Sequence, residues 1–211
     1  MNVLVACEFS GVVRDAFRGR GHHAVSCDLQ PTESPGPHYQ GDVRDVLYGG
    51  TLHGEWDLLV AHPPCQHLST AGARHFPGKG YLQTAALEFV RQLMDCGIPK
   101  ICIENPVSII STRIRKPDQI INPWLFGDPY QKRMCLWLAG LPWLKATHVV
   151  QGRPWAQYVT GKDRQATRSR TFPGVAAAMA AQWGGGSHDP CGKCPPGSKP
   201  QTHPTLSLIH I

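Results

Sequence analysis

Cys65 stands in the run AHPPCQHLSTAG (61–72), directly after two prolines that end an apolar stretch. Proline fixes its own backbone angle, so the thiol is held stiffly at the edge of whatever the apolar stretch builds. A thiolate is a nucleophile, and its surroundings must lower its pKa or desolvate it before it can act as one. Taken alone, Pro-Cys favours a buried cysteine in a turn. A second group shifts the balance. Glu104 lies in KICIENP (100–106), thirty-nine residues further on, at the close of another apolar run. An acid there is costly unless paired, and an ion pair or helix cap would also satisfy it. A nucleophile and an acid on neighbouring strand ends form a reactive constellation.

The elements that must position these groups follow from the apolar pattern. NVLVAC (2–7) is Val-rich and reads as a buried strand, and VVRDAFRGRG (12–21) as a helix closed by Gly21. HAVSCDL (23–29) predicts a second strand ending in an acid, a Pro/Gly-rich loop spans 31–37, and 41–43 reads as a third strand end. WDLLVAHPP (56–64) predicts a strand stopped by prolines, 66–80 a mobile loop, and LQTAALEFVRQLMDCG (82–97) an amphipathic helix. Further strands are expected at 100–106 and 134–142. Alternating strands and helices imply an α/β, Rossmann-like, doubly wound and mostly parallel sheet. Ligands of such sheets sit at the carboxyl ends of the strands. Phe9-Ser10-Gly11, Asp28, Asp42, Pro63 to Gln66 and Glu104-Asn105 all fall there.

The 211 residues suffice for one domain, expected over 1–186, and 41% of them are apolar. No apolar run is long enough for a membrane span, and no signal-peptide pattern opens the chain, so a cytoplasmic protein without membrane contact is expected. The net charge of +6 favours a polyanionic partner only if it clusters near a site. Eight cysteines in a cytosolic chain are expected to be reduced, with Cys7, Cys27, Cys102 and Cys135 in apolar runs. Residues 187–211 are proline-rich and aperiodic and read as a disordered tail. Its closing LSLIHI resembles translated sequencing adapter, which makes the tail a candidate non-native segment. Cys191 and Cys194 form a CxxC without a clear second ligand pair, so no metal is expected.

These motifs resemble the cytosine-C5 DNA methyltransferases, and the short chain is similar to members carried by bacterial viruses. Pro64-Cys65-Gln66, with Ser69 and Gly72, matches that family's nucleophile motif; Glu104-Asn105 matches its Glu-Asn-Val motif with Pro106 in place of valine. Phe9-Ser10-Gly11 matches its cofactor motif, though Val12-Val13 stand where glycine is usual. FGDPYQKRMCLWLAGL (126–141) resembles its Gln-x-Arg-x-Arg segment after one inserted residue, with Gln131 and Arg133 in place and Cys135 at the second arginine. FPGVAAAMAAQWG (172–184) is similar to its closing helix.

The resemblance implies S-adenosylmethionine as cofactor and double-stranded DNA as partner, acted on by a monomer. Cys65 would add to cytosine carbon 6, Glu104 would protonate N3, and Arg133 would hold O2, with Gln66 beside them. Phe9, Ser10, Gly11, Asp28, Asp42 and Pro63 would hold the cofactor. As types alone, a ribose acceptor and a turn acid are equal readings of Asp28. A duplex base must be flipped out to be reached. Ser69, Arg74 and Lys79 in the loop, with Arg153, Trp155, Lys162, Arg168 and Arg170 further on, are expected to contact DNA. Basic residues interleaved with aromatics suit phosphates and bases. The recognition segment at about 139–170 is short, so a short recognition site is implied. Two alternatives are a catalytically inactive DNA-binding relative and a methyltransferase of free cytosine nucleotide.

Overall fold

The computed structural model describes residues 1–50, 52, 55–71, 78, 80–155 and 164–185, with no side-chain detail for 164–166. Five parallel strands form its centre: β1 (Asn2–Ala6), β2 (His23–Asp28), β3 (His38–Gln40), β4 (Leu58–Ala61) and β5 (Lys100–Pro106). Two further strands, β6 (Gln119–Ile121) and β8 (Met134–Ala139), complete a seven-stranded sheet in the order β3-β2-β1-β4-β5-β8-β6. β8 runs antiparallel to both β5 and β6. This is a Rossmann-like, mostly parallel α/β fold with one reversed strand. A second, two-stranded parallel pair joins β7 (Tyr130–Gln131) to β9 (Arg153–Pro154).

β1, β2, β4 and β5 are buried on both faces, as parallel sheets require, and their side chains alternate between two cores; β3, at the edge, is only partly covered. Val3, Val5, Leu58, Val60, Cys102 and Leu136 face one layer, packed against α1 (Val12–Arg18) and α6 (Pro173–Trp183). Leu4, Ala6, Leu59, Ala61, Ile101, Ile103 and Trp137 face the other, beneath α2 (Val43–Leu47) and α3 (Gly80–Met94). α6 buries Val175, Ala176, Ala178, Met179, Ala180 and Trp183. Its small alanines let it lie close along α1. Gly174 opens it under a tight roof: a Cβ there would fall 2.0 Å from the Phe126 carbonyl oxygen.

Several expectations shift. The stretch 41–43 is not a strand end: the third strand stops at Gln40, and Asp42 caps α2 by accepting from the Arg44 backbone nitrogen. α1 is capped by Gly19, two residues before the predicted Gly21, which takes a left-handed φ of 83° in the following turn. The strand predicted over 134–142 ends at Ala139. Within the predicted loop 66–80, residues 68–70 are tied down by backbone bonds to 107–109. Cys7 extends β1 into a turn with φ 57°, a left-handed conformation unusual for a side-chain-bearing residue. Two short elements, α4 (Ile110–Arg113) and α5 (Arg164–Ser169), complete the description. Among the described residues no helix is long and apolar enough to cross a membrane.

Candidate active site at the carboxyl ends of the central strands

The sheet reverses direction of winding at β1 and β4, and ligands of such sheets bind in the crevice at that point. Cys65 lies four residues past β4 and is exposed, whereas Cys27, Cys102 and Cys135 are buried. The Cys65 carbonyl accepts from the backbone of Leu68 (3.0 Å) and Ser69 (2.8 Å), closing a tight turn. Beyond it, Ser69 and Ser108 form an antiparallel bridge, the Thr70 backbone donates to the Val107 carbonyl and that of Ile109 to the Leu68 carbonyl. The segments leaving β4 and β5 are therefore stitched together, and Asn105 adds a buried link by donating from Nδ2 to the Pro63 carbonyl at 2.8 Å.

That stitching brings Glu104 beside Cys65. Glu104 is 8% exposed; its Oε2 lies 3.2 Å from His62 Nδ1, and its Oε1 is buried with no partner among the described residues. Burial pushes its carboxyl up, but the His62 hydrogen bond and the Lys132 charge together hold it below the usual range. The Cys65 thiol moves the other way. Partial desolvation raises its pKa, the Glu104 charge raises it further, and Lys132 partly offsets both. It rests as a thiol, shielded from water but reachable. Cys7 and Cys27 are pushed up by burial, Cys27 to about 12, and neither is a ready nucleophile.

The cation that reaches this pair is Lys132, which the sequence reading passed over. Arg133, expected to serve the site, acts instead on Cys135, whose thiol it lowers against burial and Glu104. Lys132 and Arg133 lie in the two-residue gap between β7 and β8, and it is the Lys132 charge that both Cys65 and Glu104 feel. The Lys132 ammonium donates to the Arg168 carbonyl at 3.1 Å and sits 5.4 Å from the centre of the Phe172 ring. Gln66 is exposed, its amide 3.2 Å from the His67 ring and turned to its neighbour rather than to Glu104.

A cleft of about 210 Å³ lies next to these groups, between β1, β2 and α2. Asp28, Leu29, Asp42, Pro64 and Phe89 line it. Two carboxylates beside apolar faces suit a nucleoside, whose sugar hydroxyls need acceptors and whose base needs flat apolar contact, so these residues fit adenosylmethionine. Asp28 Oδ1 accepts from the Gln30 backbone at 2.9 Å, and its other oxygen has no partner among the described residues. Asp42 is more committed, since the Arg44 guanidinium clasps both its oxygens. Pro63, expected to touch the cofactor, is buried, and Pro64 takes its place on the wall. Leu29, 73% exposed, and Phe89 were not foreseen. Phe9, Ser10 and Gly11 are buried beside the cleft rather than lining it.

Glu8 explains that local fold. Gly11 carries no side chain to cap α1, so the Glu8 carboxylate does so, accepting from the backbone nitrogens of Val13 (2.7 Å) and Arg14 (3.2 Å). Arg14 is fully buried and reaches Asp15, Ser26, Thr32 and the carbonyls of Ser34 and Pro35, pinning the 31–37 loop.

The expected DNA-contact residues divide. Arg153 is exposed on β9. Trp155 packs edge-on against Tyr130 and Phe172, with ring centres 4.6 and 4.9 Å away, so its ring is occupied within the protein. Arg170 makes a two-pronged pair with Glu33, at 2.6 and 2.7 Å. Arg168 is exposed, and Ser69 is half-buried at the bridge. Arg74, Lys79, Lys162, Gly72 and the tail 187–211 lie outside the described residues. Among the described residues no His, Cys, Asp and Glu cluster suits a metal ion.

No protein-family model matches the chain, and no curated protein matches it. Solved structures do. A protein encoded in an E. coli prophage and described as a DNA modification methyltransferase shares 12% identity over 72% of this chain and 52% of its own, with a TM-score of 0.45. The Entamoeba histolytica methyltransferase EhMeth shares 15% over 77% of this chain and 60% of its own (TM-score 0.43). A Spodoptera frugiperda DNMT2 variant shares 13% over the same fractions (TM-score 0.42). The chain thus spans between about half and three fifths of these proteins' lengths.

Proposed function

We propose that this chain is an S-adenosylmethionine-dependent DNA methyltransferase that methylates carbon 5 of cytosine through a covalent Cys65 adduct. The observation that carries the reading is the pairing of the reachable Cys65 thiol with the buried Glu104, whose Oε1 has no partner among the described residues. A buried polar atom left unpaired is costly, and a ligand that donates to it or takes a proton from it would remove the cost.

Cytosine carbon 5 is a poor nucleophile until a thiolate adds at carbon 6. Cys65 gives its proton to solvent as the base enters and forms that bond as the thiolate, and the carbon 5 proton later leaves to solvent as well. Charge that would build on the ring is relieved when N3 takes a proton from Glu104. Lys132, in place of Arg133, supports the developing negative charge. The cofactor, when bound, supplies an electrophilic methyl group. Once the carbon 5 proton has left, Cys65 is expelled and the N3 proton returns to Glu104. Asp28 is the acceptor for the cofactor's ribose hydroxyls, with Leu29, Pro64 and Phe89 around its adenine.

Double-stranded DNA is the substrate, with the target base flipped out, and residues 1–186 act as one unit and as a monomer. The alternation of Lys145, His148 and Arg153 along the exposed part of 139–155 supports this partner. The test is duplex DNA carrying 5-fluorocytosine with adenosylmethionine. A covalent complex that survives denaturation is expected with the native chain and none with Cys65→Ala. Equal trapping by both overturns the reading.

A further inference from the structure

We propose that His62 is a positioning residue that lends Glu104 the proton it delivers to its substrate, so that the two side chains work as one proton-holding pair. The proposal rests on the reading of Glu104 as the acid. It starts from where His62 is held. Its backbone nitrogen donates to the Ala6 carbonyl at 2.9 Å, extending the β1–β4 ladder by one residue. Pro63 follows and fixes the exit of the chain. The imidazole is thereby aimed inward, 7% exposed, with Nδ1 at 3.2 Å from Glu104 Oε2.

The surroundings favour a proton on this pair. Glu104 faces His62 from β5, and Glu8 faces it from the turn after β1 as a second buried carboxyl, 3% exposed. Glu8 is spent on capping α1, where Arg14 also acts on it. Lys132, ahead of β8, Cys65, three residues on, and the buried thiols of Cys102 on β5 and Cys135 on β8 are the other charged and titratable groups that face the pair. His62 Nε2 is buried with no partner among the described residues. The imidazole thus lies between two buried carboxyls, one spent on capping α1 and the other bonded to it.

The need for such a lender follows from Glu104 itself. Its carboxyl is held below the usual range by the His62 hydrogen bond and the Lys132 charge, so beside His62 it rests ionised and any proton it gives must reach it through that hydrogen bond. Joined to His62, the pair holds one extra proton, as imidazolium with carboxylate or as imidazole with carboxylic acid, and titrates as a unit. The His62 Nδ1–H bond breaks as Oε2 takes that proton, and the carboxylic acid so formed gives it up to N3, which leaves Glu104 ionised. His62 is left neutral. When the thiol is expelled the N3 proton returns by the same route, and none is consumed.

Two variants separate this from a merely structural role. In His62→Asn the amide nitrogen stands where Nδ1 stands, keeping the hydrogen bond but carrying no extra proton. His62→Leu removes both. Methyl transfer to DNA is measured from mildly acidic to mildly alkaline pH, and the Glu104 carboxyl is followed by carbon-13 NMR in the resting protein. The native rate should fall with rising pH along the pair's titration. In His62→Asn the neutral-pH rate should drop about tenfold to 10²-fold, with the fall displaced to lower pH and DNA affinity unchanged. In His62→Leu the Glu104 carboxyl should titrate higher than in His62→Asn, and its rate profile should lie between the other two. Loss of rate without displacement of the profile, or an identical Glu104 titration in all three proteins, overturns the proposal. The NMR titration needs no turnover. Coupled titration without any methyl transfer by the native chain would overturn the proposed function and leave the pair standing.

Discussion

Asn105 donates its side-chain amide to the carbonyl of Pro63 across 2.8 Å, in a position where Asn105 is 1% exposed. One hydrogen bond thus joins the strand end that bears Glu104 to the proline pair that bears Cys65. Asn105→Ala should cost about 1–3 kcal/mol, the range for stranding a buried partner, read as a lower midpoint in urea unfolding. Trapping on fluorinated DNA should slow more than the loss of folded protein explains. Unchanged stability would mean that the bridge of Ser69 with Ser108 suffices to hold the two segments.

The reactivity of Cys65 reports its neighbours directly. Glu104 raises its thiol pKa and Lys132 lowers it. Glu104→Gln should therefore move the pH profile of iodoacetamide alkylation to lower pH, increasing the neutral-pH rate. Lys132→Met should move it to higher pH and slow the reaction. Each displacement is expected within about one pKa unit, a tenfold change in thiolate fraction. Arg133→Met should leave the profile in place. If Arg133 moves it and Lys132 does not, the cation of the site has been misassigned.

Cofactor binding should discriminate between two acids of one cleft. Asp42 already holds Arg44, whereas Asp28 keeps an oxygen without a partner among the described residues. Calorimetry with adenosylhomocysteine should show a larger loss of affinity for Asp28→Ala than for Asp42→Ala. The reverse order would place the sugar nearer α2.

The recognition site should be two or three base pairs. Trp155 is engaged by Tyr130 and Phe172, and Arg170 by Glu33, which leaves Arg153 as the described basic residue best placed for a base edge. One good bidentate contact contributes roughly 1–3 kcal/mol of discrimination, and the flipped cytosine adds the reading by its own pocket. Binding should weaken steeply with salt, because phosphate contacts dominate it. Bisulfite sequencing of random DNA treated with the enzyme measures the site, and a strict one of four or more base pairs would refute this.

Much of the central sheet was legible because buried parallel strands leave a plain mark. NVLVA, LLVA and KICI are too apolar and too β-branched for anything else, and α3 shows its face at helical spacing. The reversal of β8 was not legible, since side-chain alternation is the same in either direction. β6, three residues long, is too short to carry a pattern. Asp42 was read as a strand end because an Asp after Gly fits either a turn or a helix cap. The reactive groups of the site were readable by type, but two of its neighbours were not. Lys132 sits beside an arginine that spacing favoured, and both lie between strands, where no side-chain pattern tells them apart. His62 stood unremarked before two prolines; its signal was an ionisable ring directly after a fully apolar strand, where a partner is required.

The packing of α6 against α1 sets an order of events during synthesis. Val3, Val5, Val13 and Phe17 are made long before the residues that close the face they form, Val175, Met179 and Trp183. At about 5–20 residues per second, the ribosome needs on the order of ten to thirty seconds to deliver that closing helix. Throughout that interval the emerging amino-terminal half presents a bare apolar flank. Its survival in the cell depends on how well chaperones shelter nascent chain, and a stalled or prematurely terminated message yields a product primed to aggregate.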